Sequence, residues 1–190
     1  MKKIGLTGNI GSGKTTVGKI FETLGVPIFN ADGEAKKLMS VNPLKNKLIE
    51  TFGQAVFQEG HLNKKYLSTI IFNEPDKRRL INQLVHPQVQ FHFERWCQSQ
   101  NSSYIIKEAA ILFESGTYKS LDAIICVTCP EAIRIERLLQ RDGLTLGQIQ
   151  QRIHSQWEEK NIIEKSDYIL DNSGNQLIIP QVLNLHQKLQ

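Results

Sequence analysis

Short apolar runs alternate along the chain with stretches in which apolar residues recur every three or four positions. The runs lie at residues 3–7, 26–29, 104–108, 123–127 and 168–170, and each predicts a buried strand. The intervening stretches have helical spacing, as at positions 17, 20, 21 and 24. This alternation predicts an α/β fold with a parallel sheet of five strands and crossover helices.

The segment between the second and third predicted strands is too long for an ordinary crossover. Residues 33–100 show helical periodicity, with apolar positions at Leu67, Ile70, Ile71, Leu80, Ile81, Leu84 and Val85. We therefore predict a helical insertion over the carboxyl edge of the sheet, which is where open α/β sheets bind ligands.

A second helical stretch covers about residues 130–163, with Pro130 predicted as its first helical residue. Arg134, Arg137 and Arg141 are spaced by three and four positions, which puts them near one face of a helix. We interpret Arg134 and Arg137 as part of a solvated helix face. Arg141 differs because it falls at a helix end, beside a predicted hinge at Asp142-Gly143, and a second helix beyond the hinge holds Arg152.

Residues 8–15 match the phosphate-binding pattern G-x-x-x-x-G-K-[ST], between a predicted strand and a predicted helix as the pattern requires. Glycines let such a loop wrap an anion, and the helix N-terminus adds partial positive charge. Lys14 can reach the β- and γ-phosphates of a nucleoside triphosphate, and the Thr15 hydroxyl can bind Mg²⁺. The predicted nucleotide-binding residues are Gly11, Ser12, Gly13, Lys14, Thr15 and Thr16.

Composition narrows the ligand class. The chain has 190 residues and a formal net charge of +4, with no block of Lys or Arg, which favours a small anionic ligand over nucleic acid.

It has no apolar run of membrane-spanning length and no signal-peptide core, so we expect a cytoplasmic protein without a membrane partner. Cys126 and Cys129 form a C-x-x-C pattern, but they close an apolar run, and we interpret them as structural core cysteines.

Several polar residues have two open interpretations. Asp32 follows the second predicted strand and is either a general base or the cap of the next helix. Glu108 ends the third strand and either supports a Mg²⁺ site or forms a salt bridge. His86, which precedes Pro87, marks either a turn or a substrate contact. For the aromatic residues 91, 93 and 96, core packing is favoured over stacking on a base.

The ordered motifs resemble those of the dephospho-coenzyme A kinase family. The matching segments span nearly the whole chain and lie at residues 4–15, 30–32, 84–87, 111–114, 140–143, 152–153 together with 156, and 166–174. Two positions depart from the family pattern: Asn30 stands where many members have Asp, and Ala110 where many have Pro.

The resemblance implies a three-layer α/β/α P-loop kinase that transfers the γ-phosphate of ATP to the ribose 3′-hydroxyl of dephospho-coenzyme A, with Mg²⁺. It implies Asp32 as the base and Arg141 as a lid cation, so the expected catalytic residues are Asp32, Lys14 and Arg141, with Thr15 as the metal ligand. It also implies a single domain over residues 1–190, with a core at 1–32 and 101–190. Residues 33–100 would be the substrate-binding insertion, and about 138–158 the lid.

Two alternatives remain at this point. One is another small-metabolite or nucleotide kinase of the same architecture, and the other is a P-loop switch that signals through conformation. The guanine-reading Asn/Thr-Lys-x-Asp element of GTP switches is absent from the sequence. The substrate-sized insertion and the arginine-bearing lid favour an enzyme. The sequence predicts no oligomeric state.

Overall fold

The computed structural model describes residues 1–190, apart from the side chains of residues 71–73 and 142. Its strands are β1 (Lys2–Thr7), β2 (Ile28–Asn30), β3 (Phe57–Gln58), β4 (His61–Leu62), β5 (Tyr104–Glu108), β6 (Ala123–Thr128) and β7 (Tyr168–Asp171). Its α-helices are α1 (Lys14–Thr23), α2 (Ala31–Leu38), α3 (Leu44–Phe52), α4 (Lys64–Asn73), α5 (Pro75–Gln98), α6 (Glu131–Asp142), α7 (Leu146–His154), α8 (Glu159–Glu164) and α9 (Ile178–Leu189). Short 3₁₀ helices lie at Gln54–Val56 and Thr117–Ser120.

The chain divides into two units. We call residues 1–30 and 99–190 the sheet unit, and residues 31–98 the helical unit. All of the parallel strands belong to the sheet unit, and the helical unit is inserted between β2 and β5. The described helices include none that is long and apolar enough to cross a membrane.

The five predicted strands are confirmed and pair in the order β2-β5-β1-β6-β7, all parallel. The second strand was predicted too early in the chain, because the observed strand begins at Ile28 and Val26 lies before it. Strands β2 and β5 lie on one side of β1, and strands β6 and β7 lie on the other side. The loop after β1 therefore lies at the point where the strand order reverses, which is the binding edge of open α/β sheets.

Helices cover both faces of this sheet. On one face α1 and α9 contact each other and pack on a buried apolar cluster that includes Leu6, Ile106 and Val127. Alternate residues of β6, such as Ile124 and Cys126, point to the opposite face and are also buried. Burial on both faces explains why the strands read as continuous apolar runs, and it gives the three-layer α/β/α architecture.

The helical unit is mostly helical, as predicted, but it also contains the hairpin β3–β4. Helical periodicity was the wrong interpretation for residues 57–62. Glu59 and Gly60 both adopt positive φ, 51° and 79°, which is the conformation of a two-residue hairpin turn. The signal is short, since each strand has only two residues.

The long helix α5 corrects another expectation. His86 and Pro87 do not mark a turn, because both lie inside this helix of 24 residues. The helix is held by a stripe of buried residues at every fourth position: Ile81, Val85, Val89, Phe93 and Cys97. Of the predicted apolar positions, Leu67 and Ile70 are also buried, whereas Leu80 is exposed. The side chain of Ile71 lies outside the described residues.

The helix α6 begins one residue later than predicted. Pro130 precedes the first helical residue, Glu131, and has an extended ψ of 139°. The missing N–H of a proline is tolerated at this position for the same reason as at the first helical residue, because that group has no intrahelical partner.

Candidate active site

The phosphate-binding loop joins β1 to α1 at the carboxyl edge of the sheet. The loop backbone closes on itself where the Ser12 N–H donates to Asn9 O at 3.1 Å. The Lys14 ammonium folds back over the loop and donates to Gly8 O at 2.8 Å and to Asn9 O at 3.3 Å. The only cation carried by the loop therefore lies against the concave backbone that would hold a phosphate chain.

Two loop glycines are required by their surroundings. Gly8 has a φ of 144°, and a Cβ there would collide with the carbonyl oxygen of Val127. Gly13 has a φ of 99°, and a Cβ there would collide with the amide of Asn172. Both positions need positive φ and lie against neighbouring chain, so they admit no side chain.

Two buried polar atoms of the loop lack a hydrogen-bond partner. Asn9 and Ser12 are 2% and 0% exposed, and among the described side chains only Asn9 Oδ1 and Ser12 Oγ are buried polar atoms without a bond. Such atoms are rare in folded proteins because leaving them unpaired costs free energy, and they occur where a site serves a ligand. The loop is therefore distinguished from the rest of the described chain by unused bonding capacity.

Thr15, Glu108 and Asn30 meet at the start of α1. The Thr15 hydroxyl donates to Glu108 Oε1 at 2.9 Å, and the Asn30 amide donates to Glu108 Oε2 at 3.3 Å. Glu108 is the last residue of β5, and these two bonds place its carboxylate beside the phosphate-binding loop. A hydroxyl and a carboxylate held this closely are the hard oxygen donors that Mg²⁺ prefers, so the residues present fit that ion.

Arg134 and Arg137 are not a solvated helix face, which corrects the sequence interpretation. Arg134 is only 4% exposed, and its guanidinium donates to Cys129 O at 3.0 Å and to Ile10 O at 3.4 Å. Arg137 donates to Asn172 O at 3.0 Å. Spacing alone puts arginines on one face of a helix, but it does not show that this face contacts the loop, as Arg134 does through Ile10 O.

Asn172 connects the last strand to the phosphate-binding loop. It directly follows β7, and its side-chain amide donates to Ser12 O at 2.7 Å. Sequence reasoning gave it no role, although its position after a parallel strand placed it at the same edge as the loop. Parallel strands bring all their carboxyl ends to one edge, and that rule could have found it.

A third set of contacts reaches the loop from the segment after α7. The Gln156 side chain accepts from the Ile10 N–H at 2.7 Å and donates to Ala110 O at 3.0 Å. The Asn9 amide donates to Trp157 O at 2.9 Å. Side chains from three separate parts of the sheet unit, Arg134, Asn172 and Gln156, therefore hold the loop. The sequence analysis did not predict this role for any of them.

The two other expected catalytic residues lie in the end turns of helices. Asp32 is exposed and occupies the first turn of α2, two residues beyond the end of β2. Both interpretations of Asp32, a general base or a helix cap, stay predictions. Arg141 is exposed in the last turn of α6, and Gly143 follows in the left-handed conformation with a φ of 61°. The side chain of Asp142, the other half of the predicted hinge, lies outside the described residues.

The cysteines of the C-x-x-C pattern are both buried. Cys126 lies within β6, where burial raises the pKa of its thiol to about 12; the charge of Glu159 adds to the shift and that of Lys14 opposes it. Burial also raises the pKa of Cys129, against the lowering effect of Arg137 and Arg134. Both thiols are protonated at neutral pH, which agrees with structural core cysteines.

Comparison with known proteins then identifies the family. The family model for dephospho-CoA kinase (CoaE) matches residues 2–177. The chain belongs to the dephospho-CoA kinase family. The dephospho-CoA kinase of Bacteroides fragilis is 38% identical over 185 residues, which cover 96% of this chain and 90% of the relative. Kinases of this family are phosphotransferases with an alcohol acceptor, and ATP is their phosphoryl donor. The alternative of a P-loop switch is therefore excluded.

Solved structures agree with this assignment of a dephospho-CoA kinase fold. TT1252 from Thermus thermophilus superposes with a TM-score of 0.89 at 26% identity, over 98% of this chain and 96% of that one. The dephospho-CoA kinase from Campylobacter jejuni has a TM-score of 0.69 at 26% identity, with the same coverage of both chains. The similarity extends over both the sheet unit and the helical unit.

Proposed function

We propose that this chain transfers the γ-phosphate of ATP to the ribose 3′-hydroxyl of dephospho-coenzyme A, giving coenzyme A and ADP, the last step of coenzyme A biosynthesis. The observation that carries the proposal is the phosphate-binding loop, which combines a cation, a helix N-terminus and two unpaired buried polar atoms. Membership of the dephospho-CoA kinase family selects the acceptor among those that such a loop can serve.

ATP binds with its phosphates on residues 11–16. The N–H groups at the start of α1 and the Lys14 ammonium neutralise negative charge on the β- and γ-phosphates. Lys14 already lies 2.8 Å from a loop carbonyl, so it moves from a backbone acceptor to a phosphate oxygen by rotating about side-chain bonds. Its role is electrostatic, because phosphoryl transfer needs positioning and charge stabilisation more than covalent chemistry.

Thr15 would hold magnesium with its hydroxyl group, and Glu108 would support it by accepting the 2.9 Å hydrogen bond that orients this hydroxyl. When bound, the ion would supply positive charge that stabilises the transferring phosphoryl group. Asn30 fixes the other oxygen of Glu108 at 3.3 Å, so the carboxylate cannot rotate away from Thr15 without losing a bond. Of the two interpretations of Glu108, we therefore propose that it supports the metal site.

Asp32 accepts the proton of the acceptor hydroxyl. A carboxylate can take up the proton of a hydroxyl group held within hydrogen-bond distance, and the side chain of Asp32 is exposed. Arg141 acts from the lid. It lies in the last turn of α6, and Gly143, which ends this helix in the left-handed conformation, is the proposed hinge. Its planar guanidinium can contact two phosphate oxygens at once when the lid closes and water leaves.

An acceptor panel tests the proposal. The chain is incubated with ATP, Mg²⁺ and, separately, dephospho-coenzyme A, AMP, shikimate or adenosine, and ADP release is followed by a coupled assay. We expect turnover with dephospho-coenzyme A, with mass spectrometry and 3′-nucleotidase digestion placing the new phosphate on the 3′-oxygen. Adenosine should react far more slowly even at saturation, because it lacks the remote groups whose binding energy accelerates the chemistry.

The panel also shows how the proposal fails. Efficient phosphorylation of AMP or shikimate, with dephospho-coenzyme A untouched, would leave only the P-loop kinase fold. Phosphate on another oxygen of dephospho-coenzyme A would retain the substrate and reject the proposed acceptor hydroxyl.

A further inference from the structure

Gln156 makes an unusual pair of contacts in the irregular segment between α7 and α8. Its side-chain carbonyl accepts from the Ile10 N–H at 2.7 Å, and its side-chain amide donates to Ala110 O at 3.0 Å. Ile10 belongs to the loop after β1, and Ala110 to the loop after β5, which is the neighbouring strand. One side chain therefore ties together the two loops that leave adjacent strands at the ligand-binding edge.

The chemistry of the position requires a carboxamide. Ile10 offers a backbone donor and Ala110 a backbone acceptor, and a neutral amide is the side-chain group that satisfies both at once. A carboxylate of the same length would still accept from Ile10, but its second oxygen would face the carbonyl oxygen of Ala110. A methionine of similar shape would make neither bond, and the half-buried Ile10 N–H would lose its contact with the Gln156 side chain.

The next residue reinforces the connection. Trp157 N–H donates to Glu114 Oε1 at 2.9 Å, and Trp157 O accepts from the Asn9 amide at 2.9 Å. The indole stacks on Phe113, with ring centres 5.9 Å apart and an angle of 7° between the planes. Residues 156–157 are thus fixed to both loops, by four hydrogen bonds in all and one aromatic contact.

We propose that Gln156 is a positioning residue for ATP: it fixes the first half of the phosphate-binding loop in the shape that binds the phosphates. This inference rests on the proposed function, since it assigns a role in the nucleotide site of that enzyme. It also sets the end of the lid. The lid expected at about residues 138–158 would then end before Gln156, because residues 156–157 are bonded to both loops.

Gln181 provides a matched control. Its side chain also bridges a backbone N–H and a backbone C=O, those of Asp171, at 2.9 Å each, and it lies in the same unit on α9. Gln156→Met and Gln181→Met remove the same chemistry from two places, only one of which contacts the phosphate-binding loop. Gln156→Glu keeps the acceptor toward Ile10, loses the donor toward Ala110 and adds a negative charge.

The experiment measures ADP binding by calorimetry, the KM for ATP and for the acceptor, and the melting temperature of each variant. We expect Gln156→Met to bind ADP about tenfold more weakly, the size expected for a backbone group left unpaired. The KM for ATP should rise with it, while the KM for the acceptor changes less than twofold. Gln181→Met should lose a similar amount of thermal stability but bind ADP within twofold of the unmodified chain.

Two outcomes would overturn the inference. If Gln156→Met binds ADP normally and merely melts earlier, Gln156 is a structural residue. If Gln156→Glu, measured at high salt to screen its added charge, binds ADP as weakly as Gln156→Met, the contact with Ile10 does not carry the effect. ADP binding needs no acceptor, so these results stand whether or not dephospho-coenzyme A is the substrate, and the acceptor panel decides that question separately.

Discussion

The sheet unit and the helical unit use polar side chains in opposite ways. Among the side chains that the structure describes, those that are polar or charged and fully buried all belong to the sheet unit: Thr7, Asn9, Ser12, Lys107, Glu108 and Arg134. They lie in the phosphate-binding loop, at the carboxyl ends of β1 and β5, and on α6 facing that loop. Burying polar groups is costly unless they are paired, so their concentration at one edge marks the part of the molecule shaped by function.

The helical unit is organised by apolar packing. Its longest helix, α5, presents a stripe of apolar residues to α2, α3 and α4, and His92 on α5 lies 3.2 Å from Glu34 on α2. The described Lys and Arg ion pairs of this unit join residues three positions apart at the surface. Lys77 and Glu74 at 2.8 Å and Arg79 and Asp76 at 3.8 Å are examples. Such pairs contribute little to stability. The comparison therefore predicts that polar substitutions are damaging in the sheet unit and mild in the helical unit.

Asp32 should break this comparison, and it carries the largest expected effect. It belongs to the helical unit and is exposed, yet we propose it as the general base. Asp32→Asn should reduce kcat by about 10²–10⁴-fold, because an amide cannot take the hydroxyl proton. ADP affinity and the melting temperature should stay close to those of the unmodified chain. Steady-state kinetics with saturating ATP and dephospho-coenzyme A provides the measurement.

Asp76→Asn is the matched control for that experiment. Asp76 is also an exposed aspartate in the first turn of a helix of the same unit, with 92% of its side chain exposed in its pair with Arg79. Its replacement should leave kcat unchanged. A loss of less than about tenfold in Asp32→Asn would assign the proton to another acceptor.

The sequence predicted the sheet unit well where the signal was local. Strands buried on both faces read as apolar runs, and the glycines and Lys14 of the phosphate-binding loop are specified within eight consecutive residues. Those features follow from neighbours along the chain. Asn172 and Gln156 could not be assigned in the same way, because their roles depend on contacts with Ser12 and Ile10, far away in sequence.

Arg134 shows the limit most clearly. Periodicity placed it on a helix face together with Arg137, and a charged helix face is usually solvated. The structure buries it because α6 packs beside the phosphate-binding loop, where the carbonyl groups of Cys129 and Ile10 accept its N–H groups. The hairpin β3–β4 was missed for a different reason, since strands of two residues are too short to show alternation.

An effect of intermediate size is expected when the buried Arg134 of the sheet unit and the exposed Arg79 of the helical unit are each replaced. Arg134 pairs with Glu131 and Arg79 with Asp76, in both cases with a carboxylate three residues earlier, but Arg134 is 4% exposed and Arg79 is 73% exposed. Arg134→Met should lower the free energy of unfolding by about 1–3 kcal/mol, because backbone carbonyl groups lose their donors. Arg79→Met should change it by less than about 0.5 kcal/mol.

Urea unfolding of both variants at neutral pH, followed by circular dichroism, measures these differences. Raising the salt concentration serves as the control, because screening weakens an exposed ion pair and leaves the buried bonds of Arg134 nearly unaffected. Equal losses in the two variants would show that the burial of Arg134 adds nothing, and the contrast between the units would then fail for charged side chains.

The smallest expected effect concerns Cys126, a weakly polar group in the core of the sheet unit. Its pKa is raised to about 12 by burial, from an ordinary value of 9.0. The folded chain therefore keeps this proton at a pH where the unfolded chain has lost it. Stability from this group is fully present below pH 9 and declines as the pH rises toward 12.

By this linkage the free energy of unfolding should fall by about 1.4 kcal/mol between pH 8 and pH 10 on account of Cys126 alone. Other groups also titrate in this range, so the measurement is a difference: urea unfolding under reducing conditions at both pH values, for the unmodified chain and for Cys126→Ala. The variant is less stable at pH 8 because it leaves a cavity, but it should lose less stability on going to pH 10. Cys129→Ala should flatten the profile less, because Arg137 and Arg134 oppose the shift in the Cys129 pKa. Parallel profiles for Cys126→Ala and the unmodified chain would mean that the thiol ionises without unfolding cost, and that the sheet core around β6 admits charge as readily as the surface of the helical unit does.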